Sequence, residues 1–313
     1  MPFKKSPQTF TASIAETVVG TGDSAITLGG ENVYPLYSFD APIKNPPLVG
    51  VDFSDLGPSR DIPGIAAYYE GAESLTEITK RACEMPGASF ISFTLDSADP
   101  NGENKSVEDC IITCKEVAEA ATLPLVIQGT GNAEKDGVLL SKIAEALEGK
   151  NVLLLSATED NYKGIAVGAA LAYGQKIGAE SSVDINLAKQ LNVIISQMGV
   201  KNESIVMSPG AAAAGYGFEY VASAIERIKG AALSQNDESL QIPIITPVSS
   251  EAWTVKESIV SETDFPEWGP AEQRGVDMEI STAVASLASG SNAVILKHPD
   301  SVATVSKLIS ELL

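Results

Sequence analysis

Residues 124–147, PLVIQGTGNAEKDGVLLSKIAEAL, contain one complete strand–loop–helix unit. The apolar run at residues 125–127 is short and continuous, which is typical of a strand covered on both faces. Turn-forming residues follow it, and then Leu139, Ile143 and Leu147 recur at helical spacing. A buried strand that leads into an amphipathic helix is the repeating unit of a parallel α/β sheet.

This unit recurs along the rest of the chain from residue 48. The other predicted strands are residues 48–52, 89–93, 152–155, 182–185, 205–207, 242–246 and 293–296. Eight such units over this length are typical of a closed (β/α)8 TIM barrel. An open, doubly wound sheet is the alternative architecture. The sequence thus predicts an α/β fold with the barrel domain in residues 48–313.

Residues 1–47 have a different pattern. Apolar residues alternate at Phe10, Ala12 and Ile14, turn residues follow at 20–23, and residues 25–28 could pair back. Four prolines between residues 35 and 47 then favour an extended chain. We therefore predict an N-terminal β-hairpin and an extended segment that cap the bottom of the barrel.

The chain is strongly acidic, with 41 acidic and 21 basic residues and a formal net charge of −20. This charge repels nucleic-acid phosphates and anionic membrane surfaces, so neither is an expected partner. No segment approaches the apolar length of a membrane span, and the first residues do not resemble a signal peptide. We expect a cytoplasmic protein.

Cysteine and histidine are scarce. Three cysteines are too few for a disulfide framework, and an iron–sulfur cluster normally takes four. Cys110 and Cys114 fit a buried helical stripe better than a metal pair. His298 is the only histidine, so a zinc site is not indicated either and a structural use is favoured. We expect neither a metal site nor an iron–sulfur cluster in this chain.

The loops after the strands form the functional face of a parallel barrel. Here these loops are rich in glycine, alanine, serine and asparagine, and they contain few catalytic groups. The GTG turn at residues 129–131 lacks the third glycine of a dinucleotide-binding fingerprint. Asp52, Asp96 and Asp184 follow three strands but could simply cap helices.

Several strings, in order along the barrel, resemble one protein family. They are PLVIQGTGN at 124–132, NY at 161–162, DIN at 184–186, AAAAGYG at 211–217, EAW at 251–253, WG at 268–269 and HP at 298–299. Together they resemble the small (delta) subunit of the corrinoid/iron–sulfur protein of the acetyl-CoA decarbonylase/synthase system. The resemblance covers nearly all of the predicted barrel.

The resemblance implies a non-catalytic methyl-carrier subunit in the reductive acetyl-CoA (Wood–Ljungdahl) pathway of carbon fixation in an anaerobe. The large corrinoid/iron–sulfur subunit of the heterodimer would carry the cluster, and the barrel would cover a shared cobamide (corrinoid) from the other side. The methyl group would come from methyltetrahydrofolate through a pterin methyltransferase and pass to acetyl-CoA synthase, with a reductive activator as a further partner. A rim poor in acid–base groups agrees with chemistry that belongs to a cofactor.

The resemblance and the rim position together predict the residues that bind the cofactor. They are Thr130, Asn132, Asn161, Asp184, Asn186, Ser208, Ala211, Gly215, Tyr216, Ser249, Glu251, Trp253, Trp268 and His298. The asparagine amides would hydrogen-bond the corrin amides, and the tyrosine and tryptophan rings would form apolar walls. We expect no catalytic residue.

Three other functions remain open from the residues alone. The first is a barrel methyltransferase that acts directly on methyltetrahydrofolate, with Asp52, Asp96, Asp184 and Asn186 around the pterin ring. The second is a Schiff-base aldolase, for which Lys297 at the end of the eighth strand is the sole candidate. The third is a scaffold without a ligand.

Overall fold

The computed structural model describes residues 6–313. The strands are β1 Thr17–Val19, β2 Ile26–Leu28, β3 Leu48–Ser54, β4 Phe90–Thr94, β5 Leu125–Gln128, β6 Leu153–Ala157, β7 Lys176–Glu180, β8 Ile205–Ser208, β9 Ile245–Pro247 and β10 Ala293–Leu296. The α-helices are α1 Pro63–Tyr68, α2 Leu75–Cys83, α3 Val107–Ala120, α4 Ala133–Ala146, α5 Tyr162–Ile165, α6 Ile185–Gln197, α7 Phe218–Ser234, α8 Ser249–Ala252, α9 Lys256–Ile259, α10 Ala271–Ser289 and α11 Pro299–Leu312. Helix α5 continues as a π-helix over Ala166–Leu171.

Eight parallel strands form a nearly closed barrel. Strands β3 to β8 lie side by side in chain order, and β10 lies between β3 and β9. A parallel bridge between Met207 and Ile244 joins β8 to the segment that leads into β9, and the Met207 N–H donates to the Pro243 carbonyl at 2.8 Å. The predicted (β/α)8 barrel is confirmed, and the open, doubly wound sheet is excluded because the strand order never reverses.

The predicted position of the fifth barrel strand is wrong. The fifth barrel strand is β7, not residues 182–185, which form the loop and the start of α6. Its sequence, KIGAE, contains no continuous apolar run, because its inward positions include Gly178 and Glu180. A Cβ on Gly178 would lie 2.3 Å from Leu155 Cδ2, so the neighbouring leucine fills the space that a side chain would need.

The N-terminal hairpin is confirmed, but its first strand is β1 and not the alternating residues 10–14. Val19 and Leu28 of the hairpin belong to the same apolar cluster as the inward-facing residues of the barrel. Asn151, just before β6, donates from Nδ2 to the Val18 and Gly20 carbonyls, each at 2.9 Å. The hairpin therefore closes the amino-terminal end of the barrel, as the sequence predicts.

The interior of the barrel changes character along its axis. Its lower part is apolar and contains Phe90, Val126, Leu153, Leu155, Val206, Ile245, Ala293 and Ile295. Because side chains alternate along a strand, the same inward rows end in polar residues at the carboxyl-terminal end. These residues are Asp52, Thr94, Gln128, Glu180, Ser208 and Lys297. Within residues 6–313, no helix is long and apolar enough to cross a membrane.

Candidate functional site

Asp52 lies at the centre of a hydrogen-bond network in the barrel mouth. Its Oδ1 accepts from Thr94 Oγ1 at 3.0 Å and from Gln128 Nε2 at 3.2 Å. Its Oδ2 accepts from Ser249 Oγ at 2.9 Å. Burial raises the pKa of the Asp52 carboxyl, although the hydrogen bonds from Ser249 and Thr94 act in the opposite direction. The network joins three strand ends to the loop after β9.

Three adjoining cavities open at this mouth. Cavity A, of about 220 Å³, is lined by residues that include Asp136, Asn161, Glu180, Ser208, Ala211 and Glu251. Cavity B, of about 350 Å³, is lined by residues that include Asp52, Tyr69, Thr94, Asp96 and Lys297. Cavity C, of about 520 Å³, is lined by residues that include Trp253, Ile259, Glu262 and Glu272. Cavities A and B share Gln128 and Ser250, and cavities B and C share Ser59 and Lys297, so together they form one broad depression.

One buried and two half-buried carboxyl groups, those of Asp136, Glu180 and Glu251, shape cavity A. Asp136 accepts from the backbone N–H of Thr130 at 2.8 Å and from that of Gly131 at 2.9 Å, which fixes the GTG turn. A Cβ on Gly129 would lie 2.5 Å from Asp136 Cγ, so glycine is needed for this approach. Burial raises the pKa of Asp136, Glu180 and Glu251. These carboxyl groups can therefore act as hydrogen-bond donors at a higher pH than exposed carboxyl groups can.

Trp253 lines cavity C, and His298 packs behind it. Their rings stack with centroids 5.7 Å apart and an interplanar angle of 17°. His298 Nδ1 accepts from the Asp300 N–H at 3.1 Å and so caps α11, which places the ring proton on Nε2. That Nε2 faces Glu272 Oε1 at 3.2 Å. His298 is buried and holds Trp253 and Glu272 in place, while those two residues line the cavity.

The structure brings only some of the predicted residues into the cavities. Those that line a cavity are Asn161, Ser208, Ala211, Glu251 and Trp253. Ser249 lies directly behind the lining, bonded to Asp52. The others lie on or beside the same rim but outside the lining: Thr130, Asn132, Asp184, Asn186, Gly215, Tyr216, Trp268 and His298.

Several residues outside the lining have structural partners. The side-chain oxygens of Asn132 and Asp184 accept from the first backbone N–H groups of α4 and α6, so both residues are helix caps. Tyr216 donates its hydroxyl to Glu257 at 2.5 Å and ties together the loops after β8 and β9. Trp268 stacks on Phe265 with centroids 4.4 Å apart.

Sequence reasoning missed Tyr69, Gln128 and Glu180 as residues of the site. Glu180 was hidden by the misplaced fifth strand. Gln128 ends β5 within the string that carries the resemblance, and this position is the signal that could have found it. Tyr69 follows the short helix α1, whose six residues carry no helical pattern long enough to recognise.

Cys110 and Cys114 are fully buried on α3, as predicted, and burial raises the pKa of both thiols. In the described part of the chain, no cluster of three or more histidine, cysteine, aspartate or glutamate side chains is placed to hold a metal ion.

Comparison with known proteins decides the family. A family model described as CO dehydrogenase/acetyl-CoA synthase delta subunit matches residues 16–306. The chain belongs to this delta-subunit family. The resemblance inferred from the sequence is therefore confirmed.

Relatives in the delta-subunit family are longer than this chain. The acetyl-CoA decarbonylase/synthase complex subunit delta of Archaeoglobus fulgidus is 33% identical over 94% of this chain and 65% of its own length. Subunit delta 1 of Methanosarcina thermophila is 34% identical over 94% of this chain and 67% of its own length. The chain thus spans about two thirds of the length of these relatives.

Solved structures with the same fold include dihydropteroate synthases. The Yersinia pestis enzyme, solved with a pterine-sulfa conjugate, has a TM-score of 0.55 and 13% identity and covers 85% of this chain and 93% of its own. The Vibrio fischeri enzyme has a TM-score of 0.57 and 9% identity and covers 94% and 97%. At these identities the likeness shows that the delta-subunit chain shares a fold with these enzymes.

Proposed function

We propose that this delta-subunit chain is the small subunit of a heterodimeric corrinoid/iron–sulfur protein and that its barrel mouth covers one face of a cobamide. The observation that carries the proposal is the broad depression formed by cavities A, B and C. Hydroxyl, amide and carboxyl side chains line it, and these groups suit a wide, flat ligand with many carboxamide arms.

The cobamide, when bound, supplies the cobalt chemistry of methyl transfer, and the chain supplies position and shelter from water. The residues that line the depression, Asn161, Ser208, Ala211, Glu251 and Trp253, are proposed to contact the cofactor directly. Asn132, Asp184 and His298 act instead by shaping the helix starts and loops that carry the lining. The other predicted residues are proposed to support the loops around the mouth without touching the cofactor. They are Thr130, Asn186, Gly215, Tyr216, Ser249 and Trp268.

We propose the large corrinoid/iron–sulfur subunit as the direct partner of this chain, and the names of the relatives, which are subunits of a complex, support this proposal. Methyltetrahydrofolate would donate the methyl group through a separate pterin methyltransferase, and acetyl-CoA synthase would receive it. A reductive activator would restore the cobalt after oxidation. We also propose residues 48–313 as the barrel domain, with residues 1–47 as its attached cap, in a cytoplasmic protein of an anaerobe.

Co-expression with the large subunit under anoxic conditions tests this function. The purified heterodimer should contain stoichiometric cobalt and absorb visible light as a corrinoid does, and the large subunit alone should retain less. A heterodimer that contains no cobalt and shows no corrinoid absorption after corrinoid reconstitution would contradict the proposal. Saturable binding of methyltetrahydrofolate by this chain alone would favour the direct methyltransferase, which the names of the relatives do not favour.

A further inference from the structure

Cavity B contains a buried donor that has no acceptor. Tyr69 lines the cavity with only 1% of its surface exposed, and its hydroxyl has no hydrogen-bond partner within residues 6–313. Burial raises the pKa of this hydroxyl, so it keeps its proton. It therefore needs an acceptor to form its hydrogen bond. An unpaired buried hydroxyl destabilises a fold unless a bound molecule supplies the missing acceptor.

Lys297 is a second donor in the same cavity. Its Nζ lies 3.5 Å from Ser59 Oγ and 5.7 Å from the centre of the Trp253 ring. Among the described residues, no carboxylate lies within ion-pair distance of it. The backbone N–H of Lys297 donates to the fully buried Glu279 at 2.8 Å, and this bond fixes where the lysine side chain leaves β10.

Carboxylates supply the acceptors of cavity B. Asp52 already accepts three hydrogen bonds, from Thr94, Gln128 and Ser249. A carboxylate has about four lone-pair positions, so roughly one remains for a ligand. Asp96 is exposed and lines the same cavity.

Charge and hydrogen-bond donors together limit the class of ligand. Asp52 and Asp96 repel an anionic group. A cationic group would leave the donors Tyr69 and Lys297 without an acceptor. A neutral group with an acceptor oxygen next to an N–H donor can bond both the donors, Tyr69 and Lys297, and the acceptor Asp52. We propose that cavity B binds a carboxamide, with the oxygen accepting from Tyr69 and Lys297 and the nitrogen donating to Asp52.

This inference rests on the proposed function, because it takes the carboxamide to be an arm of the cobamide. The ring of a free pterin presents the same pair of carbonyl and N–H groups and is the other possible source. The two sources differ in that only the corrinoid brings the amide on an arm attached to a macrocycle.

The test measures binding of cobinamide, which has amide arms and lacks the lower base, to the corrinoid-free heterodimer by quenching of tryptophan fluorescence. Tyr69→Phe should raise the Kd about fivefold, as expected for one neutral hydrogen bond, and Lys297→Met about tenfold. Tyr34→Phe is the matched control, since that hydroxyl contacts Ser234 away from the mouth, and its Kd should stay within about twofold of wild type. Tyr69→Phe should leave the melting temperature of the free chain unchanged or higher, because it removes an unpaired hydroxyl.

A ligand-side change completes the test. Cobyrinic acid, which has carboxylates in place of the amides, should bind wild type about tenfold more weakly than cobinamide, and Asp52→Asn should reduce this difference. Equal cobinamide Kd values for wild type, Tyr69→Phe and Lys297→Met would overturn the inference and leave the proposed function standing. Failure of the wild-type heterodimer to bind cobinamide would overturn the proposed function itself. Saturable methyltetrahydrofolate binding that Tyr69→Phe weakens, with cobinamide binding unaffected, would assign the cavity to a pterin and overturn the corrin assignment.

Discussion

Lys229 and Glu31 form a buried ion pair at the amino-terminal end of the barrel, with Nζ and Oε1 2.6 Å apart and side chains only 2% and 10% exposed. Asn292, just before β10, accepts from Lys229 Nζ at 2.8 Å and donates to Glu31 Oε1 at 2.9 Å. The cluster joins α7 and the last barrel strand to the segment that follows the hairpin. It therefore fixes the cap at the end of the barrel opposite the mouth with cavities A, B and C.

Lys229→Met should lower the free energy of unfolding by about 3–5 kcal/mol, because it leaves Glu31 buried without its countercharge. Lys307→Met is the control, since Lys307 pairs with Glu311 in solvent at 3.7 Å, and it should cost less than about 1 kcal/mol. Urea denaturation measures both variants. The double variant Glu31→Gln/Lys229→Met should be less destabilised than Lys229→Met alone, and the opposite order would contradict the uncompensated-charge explanation.

The Lys229–Glu31 pair should also make the free energy of unfolding depend on pH. Burial alone raises the pKa of Glu31, but the Lys229 charge and the hydrogen bonds from Lys229 and Asn292 outweigh it, so the pKa lies below the ordinary 4.5. The unfolded chain then binds the proton more readily, and the stabilisation is complete above about pH 4.5 and declines as the pH falls through the folded value. The stability advantage of wild type over Glu31→Gln should be constant near neutral pH and shrink in acid. An advantage that grows in acid would contradict this sign.

Glu180→Gln should show the opposite dependence. Burial raises the pKa of Glu180, whereas hydrogen bonding to Ser156 opposes the shift. The folded state holds this proton more tightly than the unfolded state, so the carboxyl weakens the fold as the pH rises above about 4.5. Melting temperatures of Glu180→Gln should exceed those of wild type by a margin that widens toward neutral pH. Glu159→Gln, on the exposed loop after β6, is the matched control, and a margin that narrows with rising pH would contradict the prediction.

Gly275→Ala should displace Trp253 from the mouth. A Cβ on Gly275 of α10 would lie 2.2 Å from Trp253 Cζ3, so either the indole or the helix must move. We expect a loss of about 1–3 kcal/mol in unfolding free energy and a shifted tryptophan emission. Gly230→Ala in α7 meets open space and should instead stabilise by about 0.5–1 kcal/mol. Equal effects of the two substitutions would show that the close contact does not control Trp253.

Asp184→Ala should weaken the start of α6 without lowering the cobalt content of the proposed heterodimer. Its side chain accepts from the Asn186 N–H at 2.7 Å and from the Leu187 N–H at 3.3 Å, and it lies exposed outside the three cavities. Loss of such a cap costs about 1 kcal/mol. Asp184→Asn retains the cap and should be neutral in denaturation and in cobalt content. Loss of cobalt from the Asp184→Asn heterodimer would instead show a direct contact with the cofactor.

Most of the fold could be predicted because its signals are local. Continuous apolar runs such as residues 125–127 identify buried parallel strands, and helical spacing identifies the intervening helices. Strand β7 was not predicted because Gly178 and Glu180 face the barrel interior and interrupt the apolar pattern. The first hairpin strand was predicted at residues 10–14 instead of β1 because Thr17 is polar and therefore resembles a surface residue in the sequence. In the structure Thr17 is buried, and its Oγ1 donates to the Ile205 carbonyl at 3.1 Å.

The sequence by itself determined the strand–helix repeat, the capped helix starts and the family, because these depend on residues close together in the chain or on strings in fixed order. Only the tertiary structure decided that Tyr69 from the first barrel unit and Lys297 from the last line one cavity with Asp52. The reason is that closure of the barrel brings the two ends of the sheet together, and no local pattern encodes which side chains then lack a partner. Asn132 and His298 cap helices rather than line a cavity for a local reason, because each side chain accepts from a backbone N–H two or three residues further along the chain.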